Sequence, residues 1–188
     1  MNRISDQRLT LEAFFELPDE GVSLELVNGR AIPKMSPKLF HAALQATLLM
    51  LLRAWGRSRG RALPEWAVVL RRHDEDWVPV PDLLYVSYER LPRQWRRNEA
   101  CPVAPELVVE IISPGQTFGL LTGKAGDYLT AGVLRVWVID SEALTITVFY
   151  PDRPPATFRE NDEMMDELFA GFRLTPEQLF TEADLIEQ

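Results

Sequence analysis

The 188-residue sequence contains a single cysteine, Cys101, and two histidines, His41 and His73. One thiol cannot close an internal disulfide, which excludes a disulfide-stapled scaffold and fits a reducing compartment. No apolar run approaches the roughly 20 residues needed to span a bilayer, so no membrane partner is expected. The opening segment Met-Asn-Arg-Ile-Ser-Asp lacks the apolar stretch of a signal peptide, which gives a soluble, cytoplasmic protein as the expectation. Internal repeats, low-complexity tracts and Gly/Ser linkers are absent. One domain is therefore expected over 1–188, with its core at about 20–150 and an acidic C-terminal extension at 151–188.

What is present is apolar enough to fold. The hydrophobic fraction is 46%, with five Trp and nine Phe, too much for a disordered chain. A chain of this length can bury roughly 70% of its unfolded surface without a metal or disulfide staple. The formal charge of −8 argues at first against a phosphate-bearing partner. Its distribution reverses that inference. Residues 53–97 carry ten basic groups, all arginine, against six acids, a balance of +4, whereas residues 98–188 stand at −11. Arginine suits bidentate contact with phosphate. The alternative is a solvated surface that merely favours arginine. A polarised molecule results, and any nucleic acid is expected to bind weakly and salt-sensitively through the middle segment.

Local patterns give an ordered series of elements. Thr10 caps a short helix that ends near Pro18. Asn28-Gly29 between Leu24–Val27 and Ala31–Met35 is a hairpin signal. Ser36-Pro37 opens a helix with Phe40, Leu44, Leu48, Leu51 and Trp55 on one face, ending at Gly56–Gly60. Leu63–Arg72 and Trp77–Val86 read as strands around the polar turn His73-Asp74-Glu75-Asp76, where the histidine and the three acids are expected to be solvated. Glu106–Ile112 and Val133–Ile139 read as strands covered on both faces. Thr117 caps a helix between them that runs to about Ala131 and stops at Gly132. Thr145–Tyr150 alternates like a half-exposed strand, and Thr175 opens a short terminal helix. The sum is a mixed sheet with helices packed on it. Trp55, Trp66 and Trp137 are expected in the core, and Trp77 either there or on a hairpin surface.

Two carboxylates occupy apolar ground. Asp82 sits between Val-Pro-Val-Pro and Leu-Leu-Tyr-Val, and Glu110 inside Leu-Val-Val-Glu-Ile-Ile. A buried ionised carboxylate costs several kcal/mol unless it is paired or coordinated. Two on adjacent strands call for a divalent cation between them or for one to be protonated. Mg²⁺ binds through one or two carboxylates and keeps several waters. Lys124, early in the following helix, could orient an attacking water. In the other reading Asp82 is a cap or turn residue and Glu110 forms a salt bridge, with Lys124 itself as a candidate partner. Arg93-Gln94-Trp95-Arg96-Arg97 interleaves an aromatic with cations, as nucleic-acid-binding segments often do. Its tryptophan could instead pack on the sheet or on a second subunit.

The order and spacing of several pieces resemble the Uma-type endonucleases of the PD-(D/E)XK nuclease superfamily. They are Leu24-Glu25-Leu26-Val27-Asn28-Gly29, Met35-Ser36-Pro37 with His41, Val80-Pro81-Asp82, Pro105 through Pro114 around Glu110, Lys124 with Asp127-Tyr128-Leu129 and Ala131-Gly132-Val133, Trp137-Val138-Ile139-Asp140, and Gly171-Phe172-Arg173-Leu174. The resemblance spans roughly residues 10–180. It implies an α/β (α+β) restriction-endonuclease-like core, a central mixed β-sheet flanked by helices with a metal at one end. It also implies Mg²⁺- or Mn²⁺-dependent DNA endonuclease or nickase activity. On it Asp82 and Glu110 become metal ligands with the Ile111 backbone carbonyl, Lys124 the catalytic lysine, and Glu25 and His41 secondary members. Arg93, Trp95, Arg96 and Arg97 remain the candidate nucleic-acid contacts. Two departures stand out: Ile112 holds the place of the usual lysine, and Leu120 replaces a polar or acidic residue. A catalytically weak or inactive nuclease-fold module for nucleic-acid binding or dimerisation is the alternative, and a phosphodiesterase acting on nucleotides a third reading. A homodimer is an expectation from symmetry alone.

Overall fold

The computed structural model describes residues 8–187. The N-terminal stretch read for a leader lies outside them. The Thr10 hydroxyl accepts a hydrogen bond from the Ala13 amide and starts α1, Leu11–Phe15. β1 (Leu24–Val27) and β2 (Arg30–Pro33) then form an antiparallel hairpin. Asn28 (φ +52°) and Gly29 (φ +70°) take the left-handed conformation its two-residue turn requires. α2 runs from Leu39 to Gly56, two residues later than Pro37 suggests, behind Lys38 as an N-cap without a side-chain hydrogen bond. Its buried face is His41, Leu44, Thr47, Leu48 and Leu52, while Phe40 is 54% exposed. The expected stripe through Phe40 is thus turned by one position, because His41 points inward to Asp82.

β3 spans Gly60–Pro64, and the chain bends at Glu65, whose φ is +51°. The run expected as one strand from Leu63 is therefore two, the second being β4, Leu70–Arg72. β4 pairs with β5, Glu75–Trp77, across a turn in which His73 and Asp74 are both left-handed. The next expected strand is also divided. Pro79 and Pro81 offer no amide hydrogen to a ladder, so β6 begins only at Leu83 and ends at Ser87. β7 (Leu107–Ile111), α3 (Phe118–Thr130) and β8 (Arg135–Asp140) follow as a strand–helix–strand unit with parallel strands. Gly132 (φ +98°) ends α3, with the Val133 amide donating to the Tyr128 carbonyl and the Gly132 amide to that of Leu129. This pairing satisfies carbonyls that the helix end would otherwise orphan. β9 (Thr145–Phe149), β10 (Ala156–Arg159), a 3-10 turn (Glu167–Phe169) and α4 (Pro176–Glu182) complete the order.

Six strands form the central mixed sheet in the order β10-β9-β8-β7-β6-β3. Alternation along the strands builds two apolar layers. Leu83, Tyr85, Leu107, Val109 and Ile111 pack with Leu44, Leu48 and Leu52 of α2. Leu84, Val86, Val108, Val136 and Val138 pack with Leu121, Ala125 and Tyr128 of α3 on the opposite face. β9 is buried from Ile146 to Phe149 rather than half exposed, because Ile146 and Val148 face the α2-side layer and Phe149 the α3-side layer. The acidic tail is no loose extension: Phe169, Phe172, Leu174, Leu179 and Phe180 are all buried in the α2-side layer. For Phe169, Phe172 and Leu174 the spacing follows neither a helix nor a strand, whereas Leu179 and Phe180 share the buried face of α4. Trp77 and Trp137 are buried as core, whereas Trp55 and Trp66 are only partly covered. Among the described residues, no helix is long and apolar enough to cross a membrane.

Candidate active site

β7 and α3 build one half of a charged cluster. Alternation turns Glu110 toward α3, where an apolar residue is the default. Its Oε1 accepts a hydrogen bond from the Tyr128 hydroxyl at 2.8 Å and lies 3.0 Å from Lys124 Nζ. Lys124 and Tyr128 stand four residues apart and so share one face of α3. Lys124 Nζ also reaches Glu25 Oε1 at 3.0 Å, and that same oxygen accepts from the Val80 amide at 2.9 Å. Burial pushes Glu110 up to about 7; Lys124 opposes this, and the negative charges of Asp82 and Glu25 add to it. The lysine responds in kind. Burial disfavours its charge, but Glu110 and Glu25 outweigh burial and raise its pKa.

Asp82 organises the other half. It precedes β6 by one residue, and Leu83 pairs with Val109 in the β6–β7 ladder. One further step of that antiparallel register sets Asp82 against Glu110. The aspartate is 2% exposed and accepts three contacts: Lys34 Nζ at 2.8 Å, His41 Nε2 at 2.9 Å and the Ile111 amide at 2.6 Å. Burial raises an aspartate, yet the hydrogen bond from His41 and the charge of Lys34 prevail and lower its pKa. In a strand, the amide and carbonyl of one residue face the same neighbour. The Ile111 carbonyl therefore lies on the Asp82 side. Lys34 also holds Glu65 Oε2 at 2.7 Å, and Gln45 donates to Glu65 Oε1 at 2.9 Å and to the Asp82 carbonyl at 2.8 Å.

The structure thus brings Asp82, Glu110, Lys124, Glu25 and His41 together, with Ile111 between the two halves. Lys34, Gln45 and Glu65 are members that the sequence reading does not name, and Tyr128, quoted there only as part of a matching segment, joins them as a member of the site. Gln45 and Tyr128 carry a usable signal, since each follows a candidate (His41, Lys124) by one helical turn. Lys34 and Glu65 carry none; the turn after β2 and the left-handed bend at Glu65 are tertiary outcomes. His73 is largely exposed, as expected of a hairpin tip, with Nε2 3.8 Å from Asp127.

Four carboxylates and two ammonium groups meet here, a deficit of two charges before counting the imidazole of His41. Among the described residues no group of three or more His, Cys, Asp or Glu is arranged to hold a metal ion. A hard cation such as Mg²⁺ needs no such cage. One or two carboxylates suffice, with water completing the shell. The donor set fits that requirement: all-oxygen, doubly negative, and with one carboxylate displaced upward by burial and, after it, by the neighbouring acids.

The Arg-rich segment divides by role. Arg61 donates to the carbonyls of Leu91, Pro92, Arg93 and Trp95 at 2.9–3.1 Å, and Arg90 pairs with Glu106 at 3.3 Å. Arg59 holds the Ala170 carbonyl and Arg72 lies 2.9 Å from Asp127. These four serve the fold. Arg93, Arg96 and Arg97 remain exposed, and Trp95 tilts against Trp66 with ring centroids 5.9 Å apart. They line an open cleft of about 570 Å³ that also includes Glu65. They stand beside the charged cluster, not within it.

Comparison with known proteins gives the arrangement a family. A crystal structure of a putative nuclease belonging to DUF820, from Anabaena variabilis, is similar with a TM-score of 0.80 and 26% identity. The likeness covers 93% of this chain and 99% of that one. No curated protein matches. Residues 11–177 match the Uma2 family, described as "Putative restriction endonuclease". The mixed six-stranded sheet flanked by helices agrees with that neighbour, and the chain belongs to the Uma2 family.

Proposed function

We propose that the protein is a divalent-cation-dependent DNA endonuclease or nickase that hydrolyses phosphodiester bonds at the Asp82–Glu110 cluster. The observation that carries this reading is the buried double deficit of charge, with Glu110 held up to about 7 by burial and its acidic neighbours. Asp82 and Glu110 would hold Mg²⁺ or Mn²⁺, with the Ile111 carbonyl as a further oxygen and Glu25 beside them. When bound, such an ion supplies Lewis-acid stabilisation of the scissile phosphate and lowers the pKa of water.

The chain's own residues supply the rest. His41 Nε2 and the Ile111 amide hold Asp82 ionised and fixed in orientation. Tyr128 fixes Glu110 by its hydroxyl hydrogen bond. Lys124, charged and anchored by Glu25 and Glu110, sits where it can orient a water and stabilise charge developing on a phosphate oxygen. Lys34 adds a second ammonium on the Asp82 side. The name of the Anabaena protein and the family description accord with nuclease chemistry.

A second reading rests on Lys34 itself. Its Nζ lies 2.8 Å from Asp82 Oδ1 and so offers internally the positive charge a metal would bring. A catalytically inactive module for nucleic-acid binding or dimerisation would need no more. Nicking of supercoiled plasmid in Mg²⁺ or Mn²⁺ separates the two, with Asp82→Ala and Glu110→Ala as controls. Metal-dependent nicking lost in both variants supports the enzyme. Nicking that persists in both would remove the site from consideration, and none in the wild type would favour the module.

A further inference from the structure

The Trp66–Trp95 pair and the arginines beside it form a built surface that the hydrolytic cluster does not use. The loop after Leu91 has four backbone carbonyls turned inward onto one guanidinium, that of Arg61. With the main chain tied down from within, the charged side chains project out. Arg93 lies over the Tyr88 ring at 5.0 Å, Arg97 keeps only a distant partner in Glu99 at 3.9 Å, and the Arg96 guanidinium has no acidic partner among the described residues. Trp66 is held in place by its indole nitrogen, which donates to the Glu99 carbonyl at 2.9 Å. Both indoles remain partly exposed at the cleft. A cationic platform on a molecule of net charge −8 is a local exception to the field around it, and such exceptions concentrate anionic ligands.

The cleft also has a direction. Glu65 lines it at one side, and the same residue is the outer member of the Lys34–Asp82 network. From these features we infer that the cleft is the track for one unpaired strand of the substrate, leaving the hydrolytic cluster past Glu65. This inference rests on the nuclease reading and deepens it. A base stacks on the indole face of Trp95 or Trp66, and its flanking phosphates lie along Arg93, Arg96 and Arg97. An unpaired strand fits better than a duplex because an aromatic face is useful only to a base free of its partner. Arg61 is a positioning residue: its guanidinium is spent on carbonyls, and its role is to keep the platform ordered before binding, which lowers the ordering cost.

The test is fluorescence anisotropy of a labelled oligothymidylate in EDTA, which keeps binding apart from cleavage. Wild type, Trp95→Ala and Arg96→Ala/Arg97→Ala are compared, with the same length of duplex as a second probe. The expected result is about tenfold weaker binding of the oligothymidylate by Trp95→Ala, within the range of base–aromatic stacking. The double arginine variant should lose affinity together with roughly 1.4 of the salt slope, as for two phosphates on a single strand. Because Arg96 and Arg97 are exposed, their removal leaves the fold intact, and circular dichroism verifies this for every variant. Oligothymidylate binding unchanged by either groove variant overturns the inference, as does tighter binding of duplex with no dependence on Trp95. Plasmid nicking run in parallel keeps the two failures apart. Nicking with unaltered binding in the groove variants sinks the track alone; groove-dependent binding without nicking sinks only the nuclease.

Discussion

Glu110 gives the charged cluster a measurable signature without any metal. In the unfolded chain a glutamate titrates at its ordinary value of 4.5, whereas the folded protein holds Glu110 up to about 7. A folded pKa above the unfolded one means that the native state prefers the protonated acid. The stability it contributes is complete below the unfolded value and is lost as pH rises through the folded one. The gap between the two is worth about 3 kcal/mol, most of it falling between roughly pH 5 and pH 8. Glu110→Gln keeps a carbonyl for Tyr128 and Lys124 to donate to but cannot ionise. Lys124 stays charged throughout this range, so its weakened pairing in the variant is a constant offset. In EDTA, the wild type should lose about 3 kcal/mol relative to Glu110→Gln across that window. For a chain of this size the loss equals roughly 6–12 °C in melting temperature. Parallel melting-temperature curves for the two proteins would refute the reasoning, because they would mean that the carboxylate is not held against its own charge. A wild type gaining on the variant with rising pH would refute it more strongly, by reversing the sign.

Other expectations follow from single contacts. Tyr128→Phe removes the hydroxyl donor to a fully enclosed carboxylate and should cost about 1–3 kcal/mol in urea denaturation at neutral pH. Gly60→Ala would bring a Cβ to 2.4 Å from the Val86 carbonyl oxygen and 2.7 Å from the Tyr85 ring. The β3 edge should therefore loosen by about 1–3 kcal/mol, visible as earlier thermal unfolding; an unchanged melting temperature contradicts the close packing. Truncation after Tyr150 strips Phe169, Phe172, Leu174, Leu179 and Phe180 from the α2-side layer. The shortened chain should fail to give a cooperative thermal transition, and a folded, monomeric fragment would show the tail to be dispensable.

Much of this site could be read before any coordinates, for a definite reason. Asp82 and Glu110 break apolar runs, and a charge in such a place announces its own cost. Thr117 and Gly132 bracket α3 by local capping chemistry, which needs no tertiary knowledge. The illegible parts depend on contacts between distant segments. Nothing near Lys34 or Glu65 marks them as partners of Asp82, and the positive φ of Glu65 belongs to the corner where the chain leaves β3. The tail hides Phe169, Phe172 and Leu174 among acids, since an irregular segment carries no period to betray an inward face. Phe40 fails for the opposite reason: the helical stripe was visible, but the demand of Asp82 for His41 set its rotation.

The cluster's two halves also differ in the length of chain they must close. Glu110 meets Tyr128 across a separation of 18 residues, inside one strand–helix–strand unit. Asp82 and Lys34 are 48 residues apart, and Glu25 meets Lys124 across 99. Closing the longest of these loops costs about 1.5 kcal/mol more entropy than closing the shortest. Glu110, Lys124 and Tyr128 can thus assemble as a local unit while the hairpin bearing Glu25 is still detached. Asp82 belongs with this local group by distance along the chain, 29 residues from Ile111, so the contact that costs most to close is the one through which Glu25 adds its charge.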